Sequence, residues 1–211
     1  KIKATGVPGL KVIDKTNIQV IVGTEVQFVA DEMNKIHGNP VAAPVTSAPV
    51  AEVTEVVEGP QTHAIFAVAT GKVIPISQVA DDVFSQKMMG DGFAVIPETG
   101  AIFAPITGTI ASVFPTKHAL GITTASGVEV LLHMGLDTVQ LNGEPFSLYV
   151  EAGQKVARGQ LIAKVDLVAL EAAGKKSDMI VVFTNPEQVE SLTINTGVEE
   201  ANEVIGSVTT K

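Results

Sequence analysis

Short apolar runs separated by glycine and proline fill most of the chain between residues 63 and 211. The clearest of them read AIFAVAT, GKVIPIS, GFAVIPE, TGAIFAPITGTIASVFPT, ALGITTA, VEVLLHMG and QLIAKVD. Most of these runs have the length of a strand, and turn-forming residues bound them on both sides. This spacing predicts an all-β sandwich or barrel for residues 63–211.

Helical periodicity in this region is limited to two short segments. One is LVALEAAGKK, and the other is NPEQVES, where Asn185 can cap a helix that has Pro186 in its first turn. The stretch VEAGQKVARGQLIAKVD is interpreted as a pair of strands, with turns at Gly153 and Gly159.

The first 38 residues predict a small α+β fragment. GLKVID and IQVIVG flank a polar break at KTN, which indicates a hairpin of two short strands. Thr24 and Gln27 have the spacing of a capping box, apolar residues follow at helical intervals, and Gly38 can end that helix. So short a segment does not usually fold without disulfides or metal, so we interpret residues 1–38 as the end of a larger domain.

Residues 39–62 read NPVAAPVTSAPVAEVTEVVEGPQT and show no periodic apolar face. Proline removes backbone donors and favours an extended backbone, so this segment is predicted to be a linker. The first residue is Lys1 rather than methionine, and we expect the chain to have been processed or cut from something longer.

Composition narrows the possible functions. A net charge of -9 and a pI near 4.9 argue against nucleic acid as a partner, because phosphates select clustered Lys and Arg. No apolar run approaches the ~20 residues that span a bilayer, and no signal peptide is recognisable, so we expect a soluble chain. With no cysteine, the chain cannot form disulfides, use a thiolate in catalysis or bind zinc through sulfur.

Two of the four histidines can be brought together by hairpin geometry. FPTKHALGITT and GVEVLLHMG flank a tight break, and strands joined so closely pair antiparallel. If Ala125 and Ser126 form a two-residue loop, His118 opposes His133 with Cβ atoms ~5 Å apart. Moving the loop by one residue opposes His133 with Leu120 and makes the histidines diagonal neighbours. A three-residue loop would separate them onto opposite faces.

A histidine pair can serve phosphoryl transfer. A neutral imidazole has one bare nitrogen that can attack and one N–H that can donate, and the second ring with the Thr116 hydroxyl can position the phosphoryl oxygens. A single buried histidine is more often a core residue, so the pairing itself favours chemistry. His37 and His63 are interpreted as solvated or helix-end residues. Asp137 can orient a histidine or serve as an acidic turn residue.

Three motifs at this spacing, APITGTI, TKHALGI and GVEVLLHMGLDTV, resemble the glucose-type enzyme IIA domain of the bacterial sugar phosphotransferase system. The resemblance covers residues 88–211 and implies an antiparallel β-sandwich that carries a phosphohistidine. It implies a phosphotransferase component, which accepts a phosphoryl group from the small carrier HPr and gives it to a cysteine of the IIB domain. His133 corresponds to the phosphorylated residue, His118 to its assisting partner and Thr116 to the hydroxyl of the site.

The same resemblance implies a partner-binding surface around the histidines. Asp137 and Val139 match positions at its rim. Leu120 and Met134 stand where the family usually has an aromatic residue, and we expect both to belong to this surface.

Residues 1–38 are similar to the C-terminal end of the IIB domain of the same system, although over a shorter stretch. The order of IIB, linker and IIA implies a parent transporter in the bacterial plasma membrane, with a membrane-embedded IIC domain ahead of both. The IIA domain is then expected on the cytoplasmic side.

A zinc-dependent peptidase of the lysostaphin type is the main alternative. Zinc hydrolysis needs about three protein ligands around an open position, and the chain has no His-x-His sequence. His118 and His133 are only two ligands, although a partner's carboxylate can complete a zinc site in a complex. A biotinyl or lipoyl carrier would need a lysine at a tight hairpin tip, which VEAGQKVARGQLIAKVD lacks. We therefore expect no required cofactor.

Overall fold

The computed structural model describes residues 9–12, 18–21 and 59–211. By its internal contacts the chain divides between Val57 and Glu58. In the first unit, β1 (Gly9–Val12) pairs antiparallel with β2 (Ile18–Ile21), which confirms the predicted hairpin. The predicted helix that ends at Gly38 and most of the predicted linker lie outside the described residues.

The second unit consists mainly of short strands. Between residues 59 and 211 these are β3 (Thr62–Phe66), β4 (Gly71–Pro75), β5 (Asp91–Pro97), β6 (Ala101–Phe103), β7 (Gly108–Val113), β8 (Ala119–Thr123), β9 (Glu129–Met134), β10 (Phe146–Leu148), β11 (Lys155–Val156), β12 (Leu161–Val165), β13 (Met179–Phe183), β14 (Val189–Ile194), β15 (Gly197–Glu199) and β16 (Val204–Thr210).

These strands form three antiparallel sheets. The largest has the order β11-β7-β8-β9-β13-β5-β4-β15, and two three-stranded sheets have the orders β10-β12-β6 and β14-β16-β3. The predicted all-β, antiparallel sandwich is confirmed. The two strands predicted in VEAGQKVARGQLIAKVD are present, with left-handed turns at Gly153 and Gly159. They do not pair with each other, because β11 pairs with β7 whereas β12 pairs with β6 and β10.

Side-chain alternation gives the large sheet two apolar faces. The main core holds Leu120, Leu132 and Met134 from β8 and β9, all fully buried. Each such side chain contributes about 1.5–3 kcal/mol by leaving water. The opposite face carries a second cluster that includes Ile180, Val182, Ile74, Ile76, Val79, Phe84, Ala94 and Leu136. His133 points to this second face, because its neighbours along β9, Leu132 and Met134, point into the main core.

Few helices accompany the strands. α1 (Asp82–Ser85) begins after Asp81, whose side chain accepts hydrogen bonds from the first turn. α2 (Leu167–Ala172) confirms the helix predicted in LVALEAAGKK, and Asp166 caps it. The segment NPEQVES forms only a 3-10 turn at Pro186–Gln188. Among the described residues, no helix has the length and apolar character needed to cross a membrane.

Candidate functional site

The β8–β9 hairpin that carries the histidines has a three-residue loop. Thr123 opposes Glu129 and Ala119 opposes His133. The Thr124 amide also donates to the Val128 carbonyl at 2.9 Å, so residues 125–127 form the loop. The predicted two-residue loop and its register are therefore wrong. Nevertheless, the rings of His118 and His133 lie 4.9 Å apart between centroids, edge to face at 78°.

The rings meet because His118 does not belong to β8. It stands one residue before the strand and directly after Lys117, whose φ of 55° is left-handed. The Lys117 amide donates to the Phe114 carbonyl at 2.7 Å, which closes a turn ahead of His118. Strand alternation therefore does not fix the direction of the His118 side chain, and the turn brings its ring to the face of His133.

Hydrogen bonds define the reactive nitrogen of His133. Its Nδ1 lies 2.8 Å from the Gly135 carbonyl oxygen. A carbonyl can only accept, so Nδ1 carries the proton and Nε2 keeps its lone pair. The Nδ1 atom of His118 lies 2.6 Å from the Thr116 hydroxyl oxygen, which can donate or accept. The structure thus brings Thr116, His118 and His133 together.

Two phenylalanines complete the walls of the site. The ring of Phe84 meets His133 at 5.2 Å and 62°, and the ring of Phe114 meets His118 at 5.4 Å and 76°. Neither phenylalanine was among the site residues predicted from the sequence. Phe114 stands four positions before His118, within reach of a turn, whereas Phe84 belongs to α1 and no local pattern points from it to the histidines.

The surroundings keep both imidazoles neutral. Burial, with a smaller contribution from repulsion by His133, lowers the pKa of His118 to about 3. Burial also lowers the pKa of His133, against the hydrogen bond to Gly135 and the charges of Asp81 and Asp137, which raise it. Part of His133 still reaches solvent, but dense protein around the ring makes the loss of hydration dominant. A neutral, unprotonated Nε2 is the form that can attack phosphorus.

The four residues predicted to bind partners divide into two pairs. Asp137 is exposed beside the site, and Val139 is 47% exposed. Leu120 and Met134 are fully buried in the main core, so they cannot contact a partner, contrary to the prediction. The reason is strand alternation, which turns them away from the face that carries His133.

His63 and Asn185 both differ from their predicted roles. His63 is only half-buried, and its Nε2 lies 2.7 Å from the Ser126 hydroxyl at the far end of the β8–β9 hairpin, so the ring is held by the fold as well as by solvent. Asn185 does not cap a helix with its side chain. Instead, it accepts a hydrogen bond from the Glu129 amide and donates one to the Gly127 carbonyl. His37 lies outside the described residues.

Within residues 59–211 and the described hairpin, no group of three or more His, Cys, Asp or Glu side chains could hold a metal ion. His118 and His133 alone provide two nitrogen ligands. A zinc peptidase site would need about three protein ligands, so the described residues do not fit one.

Comparisons with known proteins agree with the geometry. The sequence profile of the family described as phosphoenolpyruvate-dependent sugar phosphotransferase system, EIIA 1, matches residues 63–189. The chain is 43% identical over 195 residues to the glucose-specific EIICBA component of the phosphotransferase system of Streptococcus pneumoniae. That match covers 90% of this chain and 26% of the relative, so the chain spans about a quarter of the relative's length.

A solved structure shows the same fold. Glucose permease IIA from Mycoplasma capricolum matches with a TM-score of 0.64 and 36% identity. The match covers 70% of this chain and 96% of that one.

Proposed function

This chain belongs to the EIIA 1 family of the phosphoenolpyruvate-dependent sugar phosphotransferase system, and we propose that His133 accepts a phosphoryl group from HPr and passes it to the cysteine of a IIB domain. The observation that carries the proposal is the neutral Nε2 of His133, which has its lone pair free because Nδ1 donates to Gly135. The second imidazole at 4.9 Å provides the help that a phosphoryl group needs at this position.

Acceptance is an in-line displacement at phosphorus. The Nε2 lone pair of His133 forms the new bond to phosphorus while the bond between phosphorus and the carrier breaks, and the electron pair of that bond stays with the carrier. In the second step a thiolate of IIB forms a bond to phosphorus, and Nε2 of His133 recovers its lone pair. The chain has no cysteine, so this second acceptor has to come from another chain or from an upstream segment.

His118 assists by hydrogen bonding rather than by attack. Its ring lies at the edge of His133, and its Nδ1 is held by the Thr116 hydroxyl at 2.6 Å. If Thr116 accepts from Nδ1–H, the Nε2 atom of His118 is a bare acceptor. If Thr116 donates, Nε2 carries the proton and can donate to a phosphoryl oxygen. The hydroxyl can rotate, so the Thr116–His118 pair can switch between these forms as charge on the phosphoryl group changes.

The rim of the site suits a protein partner. Phe114 is half-buried against His118, and Val139 is an exposed apolar side chain nearby in sequence. Asp137 adds a negative charge at the rim. A carrier with an apolar contact patch and a basic residue beside it would complement this surface.

The parent protein is proposed to join this domain to IIB and IIC. The family profile begins at residue 63, whereas the match to the glucose-specific EIICBA component covers 90% of the chain and so extends beyond residues 63–189. This supports the assignment of residues 1–38 to the end of a IIB domain, residues 39–62 to a linker and residues 63–211 to IIA. In that arrangement the IIA domain lies at the cytoplasmic face of a bacterial plasma membrane. The reaction itself requires no cofactor, and zinc at His118 and His133 would need further ligands from a partner.

Phosphorylation in a defined mixture tests the proposal. The chain is incubated with enzyme I, HPr and phosphoenolpyruvate, and its intact mass is recorded. We expect a gain of one phosphoryl group that is lost in acid and kept in alkali, and that is absent from His133→Ala. No gain in the wild-type chain, or a gain that persists in His133→Ala, would rule the proposal out.

A second variant separates the two steps. His118→Gln keeps a hydrogen-bond donor but cannot exchange a proton, so we expect acceptance from HPr to continue while transfer to an added IIB domain slows. The matched control is His63→Gln, since the His63 side chain contacts the opposite end of the hairpin, where its ring hydrogen-bonds the Ser126 hydroxyl. Loss of acceptance in His118→Gln, or equal transfer in both variants, would contradict this division of roles.

A further inference from the structure

The turn after His133 is held by hydrogen bonds on both of its peptide units. In the Met134–Gly135 peptide, the Met134 carbonyl accepts from the Thr138 hydroxyl at 2.7 Å and the Gly135 amide donates to the Asp178 carbonyl at 2.9 Å. In the Gly135–Leu136 peptide, the Gly135 carbonyl accepts from His133 and the Leu136 amide donates to the Lys176 carbonyl at 3.0 Å. Each of these two peptide planes is therefore held through both its carbonyl and its amide group.

Thr138 provides the one side-chain hydroxyl among these bonds. It is fully buried at the start of the 3-10 helix Thr138–Leu141, directly after Asp137, whose φ of 56° is left-handed. This turn in the backbone brings the Thr138 side chain back over the end of β9. The hydroxyl thus ties the segment that follows His133 to the strand that carries it.

The methyl group of Thr138 also packs closely against Gly135. Gly135 has a φ of 80°, and a Cβ atom added there would lie 2.5 Å from the Thr138 methyl carbon and 2.8 Å from the Lys176 carbonyl oxygen. Any residue with a side chain would therefore displace the turn. The turn is closely packed as well as hydrogen-bonded, so the direction of the Gly135 carbonyl is set by Thr138 and its neighbours.

We propose that Thr138 is a positioning residue for phosphoryl transfer, which holds the Gly135 carbonyl on Nδ1 of His133 and so keeps the proton off the attacking Nε2. The kinetic part of this inference rests on the function proposed above. The tautomer of His133 is a property of the resting chain and can be measured without any phosphoryl donor.

The test compares threonine with valine at this position. Thr138→Val keeps the shape of the side chain and removes the hydroxyl, whereas Thr138→Ser keeps the hydroxyl. The tautomer is determined from imidazole nitrogen shifts in long-range proton–nitrogen NMR spectra. We expect Thr138→Val to make the Nε2-protonated form of His133 detectable and to slow acceptance from HPr by about fivefold, the factor for one hydrogen bond of typical net strength. Thr138→Ser is expected to preserve the wild-type tautomer.

Thr124→Val is the matched control. Thr124 is also buried, and its hydroxyl accepts from the Val128 amide at the other end of the hairpin. We expect this variant to leave the His133 tautomer unchanged. The proposal is overturned if Thr138→Val retains the wild-type tautomer, or if Thr124→Val shifts it equally. Should Thr138→Val fail to fold, Thr138→Ser and Thr138→Ala differ by the hydroxyl alone and give the same comparison.

The two proposals fail in different ways. A wild-type chain that accepts no phosphoryl group contradicts the proposed function, while the tautomer comparison still decides the role of Thr138. A wild-type chain that is phosphorylated, with Thr138→Val unchanged in both tautomer and rate, contradicts only the role of Thr138.

Discussion

At the residue scale, opposing effects set the charge of the histidine pair. The carboxylates of Asp81 and Asp137 favour a protonated His133, but burial outweighs them and its pKa stays below the ordinary 6.5. At His118, burial and the neighbouring ring act together, and the pKa falls to about 3. Both rings are thus available in their neutral forms at physiological pH.

This charge state leads to a titration prediction. We expect the Cε1 proton of His133 to titrate with a midpoint below the ordinary 6.5, and that of His118 with a midpoint near 3, because burial lowers both pKa values. A proton NMR titration of the chain measures this directly, with His118→Gln and His133→Ala to assign the signals. A ring that titrates at or above 6.5 would contradict the balance of effects described here.

Some site residues could be recognised from the sequence and others could not. Thr116, His118 and His133 lie in two short motifs, and their chemistry is evident from residue type and spacing. Phe84 comes from a distant helix, so only the folded chain reveals its contact with His133. The position of Leu120 and Met134 beside the histidines in the motifs predicts a surface location, but closeness in sequence does not report the face of the strand.

At the element scale, the β8–β9 hairpin shows why register is hard to predict. Gly127 has a φ of 82° at the third loop position, which is typical of a three-residue loop. That glycine was the available signal, but the loop is also held by Asn185, 58 residues further along the chain. The rings still meet, since the left-handed Lys117 takes His118 out of the strand pattern.

The short helix α1 gives a prediction at this scale. The Asp81 side chain accepts from the Val83 and Phe84 amides at 2.9 Å and 3.4 Å, and its charge raises the pKa of His133. Asp81→Asn keeps a capping side chain and removes the charge, so we expect a lower His133 pKa with little loss of stability. Asp81→Ala removes both and is expected to cost about 1 kcal/mol of folding free energy as well.

NMR titration and chemical denaturation of the two variants separate these effects. Equal stability of Asp81→Asn and Asp81→Ala would show that the cap contributes nothing. An unchanged His133 pKa in Asp81→Asn would show that this carboxylate does not act on the ring.

At the scale of the whole molecule, the all-β sandwich followed from the apolar runs and the turns between them. The assignment of strands to sheets did not follow, because neighbours in sequence such as β11 and β12 join different sheets. Pairings of this kind depend on packing between distant segments, which local patterns do not encode.

Stability against acid is a property of the whole fold. The folded chain has lowered pKa values at His118 and His133, so below about pH 6.5 the unfolded chain binds more protons than the folded one. The free energy of unfolding is therefore expected to fall as the pH drops from about 6.5 toward 3, by at most about 1.4 kcal/mol per pH unit for each histidine. Above about pH 7.5, where both rings are neutral in the folded and the unfolded chain, these residues add no pH dependence.

Thermal melting as a function of pH checks this expectation. His118→Gln removes one of the two titrating rings, so its melting temperature is predicted to depend less on pH between about 6.5 and 5 than that of the wild type. The melting curve of His63→Gln is compared with that of His118→Gln. Burial also lowers the pKa of His63, but this ring is only half-buried, so its removal is expected to change the pH dependence less. A wild-type curve that is flat through this range, or one as steep in His118→Gln, would contradict the linkage.

The central claim is that Nε2 of His133 carries the phosphoryl group, and the most direct measurement is heteronuclear NMR of the phosphorylated chain labelled with nitrogen-15. We predict a phosphorus–nitrogen coupling to Nε2 of His133, with Nδ1 still protonated and bonded to the Gly135 carbonyl. Coupling to Nδ1 of His133, or to either nitrogen of His118, would contradict the account.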